Sequence, residues 1–210
     1  MDKVLIVGAN GTTGKLIVDK VKATTAYEPI AMVRKEEQQA QFKDKGIKTV
    51  LADLEKEVTE AVNGMNKVIF AAGSGGKTSD EKTILVDQEG AKKIVDAAKK
   101  AGVKKLVMLS SIKADEPESN PDLSNYLKAK EEADQYLRAS GLHYTIVRPG
   151  TLTNDKATGK IKMAEKLDGK GKITREDVAT VLTRVLDDDK AANKTFEMIN
   201  GETKIEEAIN

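Results

Sequence analysis

A tyrosine and a lysine lie four residues apart in the segment SNYLKAKEEADQYL, at positions 126 and 130. Residues i and i+4 share one face of a helix, so the ammonium of Lys130 would lie beside the phenol of Tyr126. A nearby cation lowers the pKa of a phenol from about 10, and such a phenol can exchange a proton with a carbonyl during hydride transfer. Ser110 and Ser111 precede this helix, and their hydroxyls could polarise the same carbonyl. The spacing alone, however, favours an ordinary amphipathic surface helix.

Three glycines follow the first apolar run at intervals of three residues, in VLIVGANGTTGK. Gly8 would let the chain turn off a strand, Gly11 would leave room for a pyrophosphate, and Gly14 would let the next helix pack closely on the sheet. Unpaired N–H groups and the positive dipole end at the start of that helix favour phosphate binding. The alternative is a tight turn that binds no ligand.

A basic residue occupies the position that selects between dinucleotides. An acid about twenty residues beyond the last glycine would accept hydrogen bonds from the ribose of NAD, but counting from Gly14 leads to Arg34, with Lys35 beside it. A guanidinium binds a 2′-phosphate bidentately and a carboxylate would repel it, so this position favours NADP. A solvated basic helix start is the alternative. Asp53, after the third predicted strand, could accept a hydrogen bond from adenine or cap the next helix.

The elements that must hold these residues alternate between short apolar runs and amphipathic stretches. Continuous apolar runs suit strands covered on both faces, as in a parallel sheet. The order predicts an α/β fold: a doubly wound parallel sheet of the NAD(P)-binding Rossmann type, in three αβα layers. Predicted strands cover residues 3–7, 29–33, 47–52, 67–72, 104–110, 143–148 and 194–199, and predicted helices cover 12–22, 84–101, 125–140 and 174–186.

The length of 210 residues suits one domain over residues 1–210. About residues 151–210 would add a small C-terminal segment on the substrate side. Ligands bind outside the carboxyl ends of the strands in such folds. We therefore expect the substrate pocket to be built from the loops at 74–82, 112–122 and 153–172.

The composition narrows the classes of partner. Basic and acidic residues number 35 and 34, for a formal net charge of +1, which argues against electrostatic binding to nucleic acid. Cysteine is absent, so thiolate metal sites and a cysteine nucleophile are excluded.

The single histidine, His143, is expected to be structural and the acidic run 187–189 to be solvated, so no metal is expected. Without a secretory leader or an apolar run of about 20 residues, we expect a cytoplasmic monomer or homodimer with no membrane contact.

The chain resembles the short-chain dehydrogenase/reductase superfamily in the order and spacing of the motifs GANGTTG, VRK, ADL, VIFAAG, VDQEGA, LVMLSS, YLKAK and YTIVRPG. It is most similar to atypical members, the NAD(P)-binding or NAD-dependent epimerase/dehydratase-like proteins related to biliverdin/flavin reductases. The resemblance covers nearly the whole chain. It is specific for the superfamily and the cofactor, but not for a substrate.

The resemblance implies a role for each matching residue. Ser111, Tyr126 and Lys130 match the active-site serine, tyrosine and lysine. The residues implied to contact NADP(H) are Gly8, Asn10, Gly11, Thr12, Thr13, Gly14, Arg34, Lys35, Asp53, Leu54, Ala71, Ala72, Gly73, Lys130, Pro149, Gly150 and Thr151.

One position departs from the superfamily pattern. Standard members place an asparagine on the helix after the fourth strand, where this chain has Asp87. A carboxylate cannot donate a hydrogen bond as an amide does unless it is protonated, so either the proton relay differs or Asp87 is structural.

Taken together, the motifs favour an NADP(H)-dependent oxidoreductase acting on a small carbonyl, quinone or flavin. The alternatives are an NADP(H)-binding sensor without turnover and a nucleoside-diphosphate-sugar epimerase/dehydratase-like enzyme.

Overall fold

The computed structural model describes residues 1–75, 78–168 and 170–209. The strands in these ranges are β1 (Asp2–Val7), β2 (Tyr27–Val33), β3 (Lys48–Leu51), β4 (Lys67–Phe70), β5 (Lys105–Leu109), β6 (Tyr144–Pro149), β7 (Thr151–Thr153), β8 (Lys160–Ala164), β9 (Lys172–Thr174), β10 (Lys194–Asn200) and β11 (Thr203–Lys204). The helices are α1 (Thr12–Lys22), α2 (Ala40–Lys43), α3 (Thr59–Val62), α4 (Asp80–Thr83), α5 (Gly90–Lys100), α6 (Ser124–Ala139), α7 (Arg175–Arg184) and α8 (Ile205–Ile209). A π-helical turn, Ile84–Glu89, joins α4 to α5.

The main sheet confirms the predicted fold class. Its strand order is β11-β8-β10-β6-β5-β4-β1-β2-β3, in which β1 to β6 run parallel to one another and β10 runs parallel to β6. The order 3-2-1-4-5-6 within it is that of a dinucleotide-binding Rossmann sheet. The chain reverses its direction of winding between β1 and β4. The loops after these two strands therefore form the crevice in which such folds bind ligands.

The apolar strands pack against helices on both faces of the sheet. Along β1, Val4 and Ile6 belong to one buried cluster, while Leu5 and Val7 belong to the other. Side chains of a strand alternate between faces, so a strand that is apolar at every position needs a helical layer on each side. The first cluster includes residues of α1 and α7, and the second includes residues of α3, α5 and α6.

Two predicted segments differ from the structure. The loop expected over 153–172 contains β8, which pairs antiparallel with β10. Only Ile161 of β8 is fully buried. The strand therefore lacks the continuous apolar run that predicts a buried strand, and its sequence is typical of a loop. The helix expected over 84–101 begins with the π-helical turn, a local change in hydrogen bonding that the apolar period does not reveal. Gly76, Lys77 and Gly169 of the predicted substrate loops, and Asn210 of the predicted domain, lie outside the described residues.

Polar residues at the amino ends of the strands lie at the edge opposite the crevice. Asp187 and Asp189 of the acidic run 187–189 are exposed to solvent, as expected, and Asp187 also forms an ion pair with the buried Lys67. His143 is exposed, and its carbonyl accepts a hydrogen bond from the backbone of Leu106 at 2.9 Å. None of the helices in the described ranges combines the length and the apolar character needed to span a bilayer.

Candidate active site and cofactor cleft

Two glycines of the first loop are required by the fold. Gly8 has φ +85°, and a Cβ there would lie 2.6 Å from the amide nitrogen of Ala72. A Cβ on Gly14 would lie 2.0 Å from the carbonyl oxygen of Gly8. Both distances are below any real Cβ contact, so these glycines allow β1, β4 and α1 to approach one another closely.

Gly11 differs from its two neighbours. Its φ is −70°, open to any residue, and a Cβ would meet only the carbonyl oxygen of Gly8, at 3.2 Å. Gly11 is the N-cap of α1, and no side chain in the described part of the protein caps that helix. The first amides of α1 therefore face a space that a phosphate can enter. The protein's own atoms therefore constrain Gly11 less tightly than they constrain Gly8 or Gly14.

Three of the cavities at this crevice contain predicted site residues that matter for the chemistry. The main cleft, of about 790 Å³, includes Gly11, Thr12, Thr13, Gly14, Ala71, Ala72, Gly73, Tyr126 and Lys130 in its wall. The Arg34 pocket, of about 300 Å³, includes Gly8, Asn10, Gly11, Arg34, Leu54, Ala72 and Gly73. The Ser111 pocket, of about 320 Å³, includes Ser111, Tyr126, Pro149, Gly150 and Thr151. Most of the residues that the sequence assigned to the cofactor and the chemistry thus line adjoining spaces.

Lys35 and Asp53 line none of these three cavities. The backbone amides of Arg34 and Lys35 both donate to Oε1 of Gln38, at 3.0 and 3.1 Å, which fixes the turn after β2. The Oδ1 of Asp53 accepts a hydrogen bond from the amide of Glu55 at 3.1 Å. This bond stabilises a local turn. The expectation that Asp53 caps the next helix was wrong, because the N-cap of α3 is Val58.

Tyr126 and Lys130 share one face of α6. The ammonium of Lys130 lies 5.6 Å from the centroid of the Tyr126 ring, and both side chains line the main cleft. Lys130 is buried, whereas Tyr126 is half-buried. The helix spacing therefore does place the phenol and the ammonium together beside the glycine loop.

Asp87 pairs directly with this lysine. Its Oδ1 lies 2.8 Å from Nζ of Lys130, and its Oδ2 accepts a hydrogen bond from the amide of Ser74 at 2.8 Å. Asp87 is fully buried on the π-helical turn, a feature that is frequent at functional sites. Burial disfavours the ammonium, but the nearby negative charge of Asp87 and its hydrogen bond to the ammonium raise the pKa of Lys130 nonetheless. Lys130 is therefore held as a cation by a carboxylate, where standard members have an amide.

The two candidate serines point to different partners. The hydroxyl of Ser110 donates to Oδ2 of Asp134 at 2.8 Å, and Ser110 lines the main cleft. The hydroxyl of Ser111 donates weakly to the carbonyl of Ile112 at 3.3 Å, and Ser111 lines its own pocket beside Tyr126. The hydroxyl of Ser110 is thus engaged with a buried carboxylate. The hydroxyl of Ser111 forms a longer hydrogen bond, which a bond to a substrate could replace.

The comparisons with known proteins identify the family. Residues 8–189 match the family described as NAD(P)H-binding. The chain belongs to this family. The expected similarity to NAD(P)-binding, epimerase/dehydratase-like proteins is thereby confirmed.

The relatives of this NAD(P)H-binding protein carry both epimerase and oxidoreductase names. A Bacillus subtilis protein described as an uncharacterized sugar epimerase, YhfK, is 43% identical and covers 99% of this chain and 98% of its own. A Bacillus halodurans structure described as a candidate NAD-dependent epimerase/dehydratase has 40% identity and a TM-score of 0.95, over 100% of this chain and 99% of its own. The oxidoreductase ylbE from Lactococcus lactis has 36% identity and a TM-score of 0.86, over 99% and 94%.

Sequence reasoning missed a buried charge cluster that adjoins the main cleft through Ser110. Arg148 on β6 is buried, and its Nε lies 2.9 Å from Oδ2 of Asp134. Glu131 also pairs with Arg148. Burial raises the pKa of Asp134 to about 6, against the opposing effects of Arg148 and the Ser110 hydroxyl. The spacing in the sequence could have indicated part of this cluster, because Asp134 lies four residues after Lys130 and therefore on the same face of α6.

The predicted substrate loops contribute unequally. Ser74, Gly75 and Thr78 of the first loop and Pro121 and Asp122 of the second line the main cleft. None of the described residues of the third loop, 153–172, does so, because much of that segment forms β8 and leads into β9. Thr153, Asn154 and Asp155 of this loop instead line a neighbouring cavity of about 430 Å³, which shares Thr12 and Arg175 with the main cleft. The expected contribution of the loop to a substrate pocket therefore stays a prediction.

A buried acid instead ties this third segment to the second loop. Glu197 on β10 accepts hydrogen bonds from the amide of Lys113 at 3.3 Å and from that of Leu167 at 2.7 Å. The two bonds hold two separate loops to one carboxylate.

Proposed function

We propose that the chain is an NADP(H)-dependent oxidoreductase that reduces a small carbonyl, quinone or flavin-type substrate. The observation that carries this proposal is that the glycine loop, Tyr126 and Lys130 line one cleft of about 790 Å³. Ligand sites commonly occupy roughly 300–1,000 Å³. The cleft is thus large enough to hold a nicotinamide and a small substrate side by side.

The adjoining Arg34 pocket supports NADP(H) rather than NAD(H) as the cofactor. Arg34 has no carboxylate partner among the described residues, and the pocket's lining includes no acid. A guanidinium in that setting attracts a 2′-phosphate, and an acid that would bind the ribose hydroxyls of NAD is missing from the lining. When bound, the cofactor supplies the hydride.

Residues of the chain would supply the proton and stabilise the carbonyl oxygen of the substrate. Tyr126 would donate its phenolic proton to the substrate oxygen, because it is the acid that borders both the main cleft and the Ser111 pocket. Ser111 would donate a hydrogen bond to the same oxygen. Lys130 would keep a positive charge beside the phenol and the cofactor ribose while Asp87 holds it in place.

Two alternatives each have an observation in their favour. The ion pair of Asp87 with Lys130 favours an NADP(H)-binding sensor without turnover, since the lysine already has a partner. The names of the Bacillus relatives favour an epimerase/dehydratase-like enzyme for nucleoside-diphosphate sugars. Against the latter, β8, β10 and β11 join the main sheet, which leaves little chain for a sugar-nucleotide lobe.

Tyr126→Phe is expected to lower NADPH-dependent turnover of a carbonyl substrate by roughly 10²- to 10⁴-fold, the usual contribution of a general acid. Affinity for NADP⁺ should stay within about threefold of the wild-type value, a change of less than 1 kcal/mol. The measurement is NADPH oxidation by absorbance against a carbonyl and quinone panel. Tyr136→Phe is the matched control, because Tyr136 lies on the same helix, is exposed and bonds Asp96. Full turnover in Tyr126→Phe on an accepted carbonyl would remove the role given to Tyr126.

A further inference from the structure

The arginines of the chain divide into two groups. Of the five in the sequence, Arg138, Arg148 and Arg184 each form an ion pair with a carboxylate. Arg34 and Arg175 form none with any described residue. These two are also the arginines that line the cavities of the cofactor crevice. An arginine without a carboxylate that faces a cleft has donors available for an anion from outside the chain.

Arg175 is held in a fixed orientation at the start of α7. It is half-buried, and its Nη1 donates to the carbonyl of Leu152 at 3.2 Å and to Oδ1 of Asn154 at 2.9 Å. A guanidinium has five N–H donors, and Nη1 supplies two of them. Nε and Nη2 have no hydrogen-bond partner among the residues that the structure describes. The side chain is therefore oriented by two neutral acceptors while its remaining donors stay available.

The packing of α7 brings this arginine to the phosphate-binding end of α1. Arg175 lines the main cleft together with Gly11 and Thr12. Lys20 of α1 and Glu176 of α7 form an ion pair at 3.2 Å across the contact between the two helices. Glu176, the acid adjacent to Arg175, is thereby engaged with a different cation.

We propose that Arg175 binds a phosphate group in the main cleft, opposite the glycine loop, as a cofactor-binding residue contributed by the C-terminal part of the chain. The proposal rests on the proposed binding of NADP(H), whose pyrophosphate is the first source of such a group. A planar guanidinium suits this task because it forms two parallel hydrogen bonds to phosphate oxygens. A phosphate carried by the substrate is the second source of the same chemistry.

The decisive comparison uses two ligands and two variants. Arg175→Gln is expected to weaken NADP⁺ binding by about 10- to 100-fold, the effect of losing a charge-assisted hydrogen bond. It should change the affinity for 2′,5′-ADP by less than about threefold, because that ligand lacks the nicotinamide-side phosphate. Arg184→Gln, on the exposed side of the same helix, should bind both ligands as the wild type does. Isothermal titration with thermal melting of each variant gives the affinities and confirms folding.

Further arms separate the possible outcomes. If Arg175→Gln keeps NADP⁺ affinity but loses binding of inorganic phosphate to the NADP⁺-saturated protein, the phosphate belongs to a substrate. If neither NADP⁺ nor inorganic phosphate binding changes, the proposal is overturned. If the wild type binds no NADP⁺, the proposed function fails instead. Titration of the free protein with inorganic pyrophosphate then still tests Arg175, and equal binding by wild type and Arg175→Gln would contradict its role.

Discussion

Replacement of Gly11 by alanine is expected to weaken NADP(H) binding by about tenfold or more, a loss of at least roughly 1.4 kcal/mol. The free energy of unfolding should change by no more than about 1 kcal/mol, the usual cost of alanine at an N-cap. The physical reason is that the added methyl meets only one protein atom, the Gly8 carbonyl oxygen at 3.2 Å. It would instead occupy the space through which a phosphate approaches the first amides of α1.

Gly14→Ala provides the contrasting control for this prediction. Its methyl would lie 2.0 Å from the same Gly8 oxygen, so it should lower the free energy of unfolding by about 3 kcal/mol or more through overpacking. Urea unfolding and NADP⁺ titration of both variants separate the two effects. If Gly11→Ala binds NADP⁺ as tightly as the wild type, the loop is only a turn and not a phosphate site.

Asp87→Ala is expected to lower the free energy of unfolding by about 3–5 kcal/mol, because it leaves the ammonium of Lys130 buried without its carboxylate. Lys130→Met should have a comparable effect, since it leaves the Asp87 carboxylate buried without the ammonium. The double variant should lose less than the sum of the two single losses, with a coupling energy of about 1–3 kcal/mol. Urea unfolding of the four proteins in the cycle measures this coupling.

A second cycle on Lys92 and Glu132 gives the matched control. This pair is 3.2 Å apart, and its side chains are 21% and 54% exposed, so its coupling should be below about 1 kcal/mol. Equal coupling in the two cycles would contradict the idea that Asp87 is the structural counter-ion of Lys130. A large coupling energy only for Asp87 and Lys130 would support the idea that the Asp87 carboxylate holds the ammonium of Lys130 in position.

The sequence predicts those parts of the site that depend on local spacing. The glycines at intervals of three, and the tyrosine and lysine four residues apart, both specify their own geometry, because a strand–turn–helix and one helix face are local structures. The parallel strands are likewise visible as continuous apolar runs. Together these local features are sufficient to predict that Gly11, Tyr126 and Lys130 border the same cleft, as they do.

The rest depends on contacts between segments that are distant in sequence. Asp87 meets Lys130 from a different element, across a π-helical turn that leaves no periodic signal. Arg148 lies in a predicted strand and Arg175 in a predicted helix. Only the fold reveals that Arg148 is paired with a carboxylate, whereas Arg175 has no carboxylate partner among the described residues. The strand β8 is hidden for a different reason, because a short strand with one fully buried apolar residue resembles a polar loop in the sequence.

The most direct test of the central claim is the dissociation constant of NADP⁺ relative to NAD⁺ for the wild type and for Arg34→Gln. We expect the wild type to bind NADP⁺ at least about tenfold more tightly, because a charge-assisted bond to the 2′-phosphate contributes roughly 1.5–3 kcal/mol. Arg34→Gln should remove this preference mainly by weakening NADP⁺ and not by strengthening NAD⁺. Equal affinity of the wild-type protein for the two dinucleotides would contradict the assignment of NADP(H) and the role of Arg34.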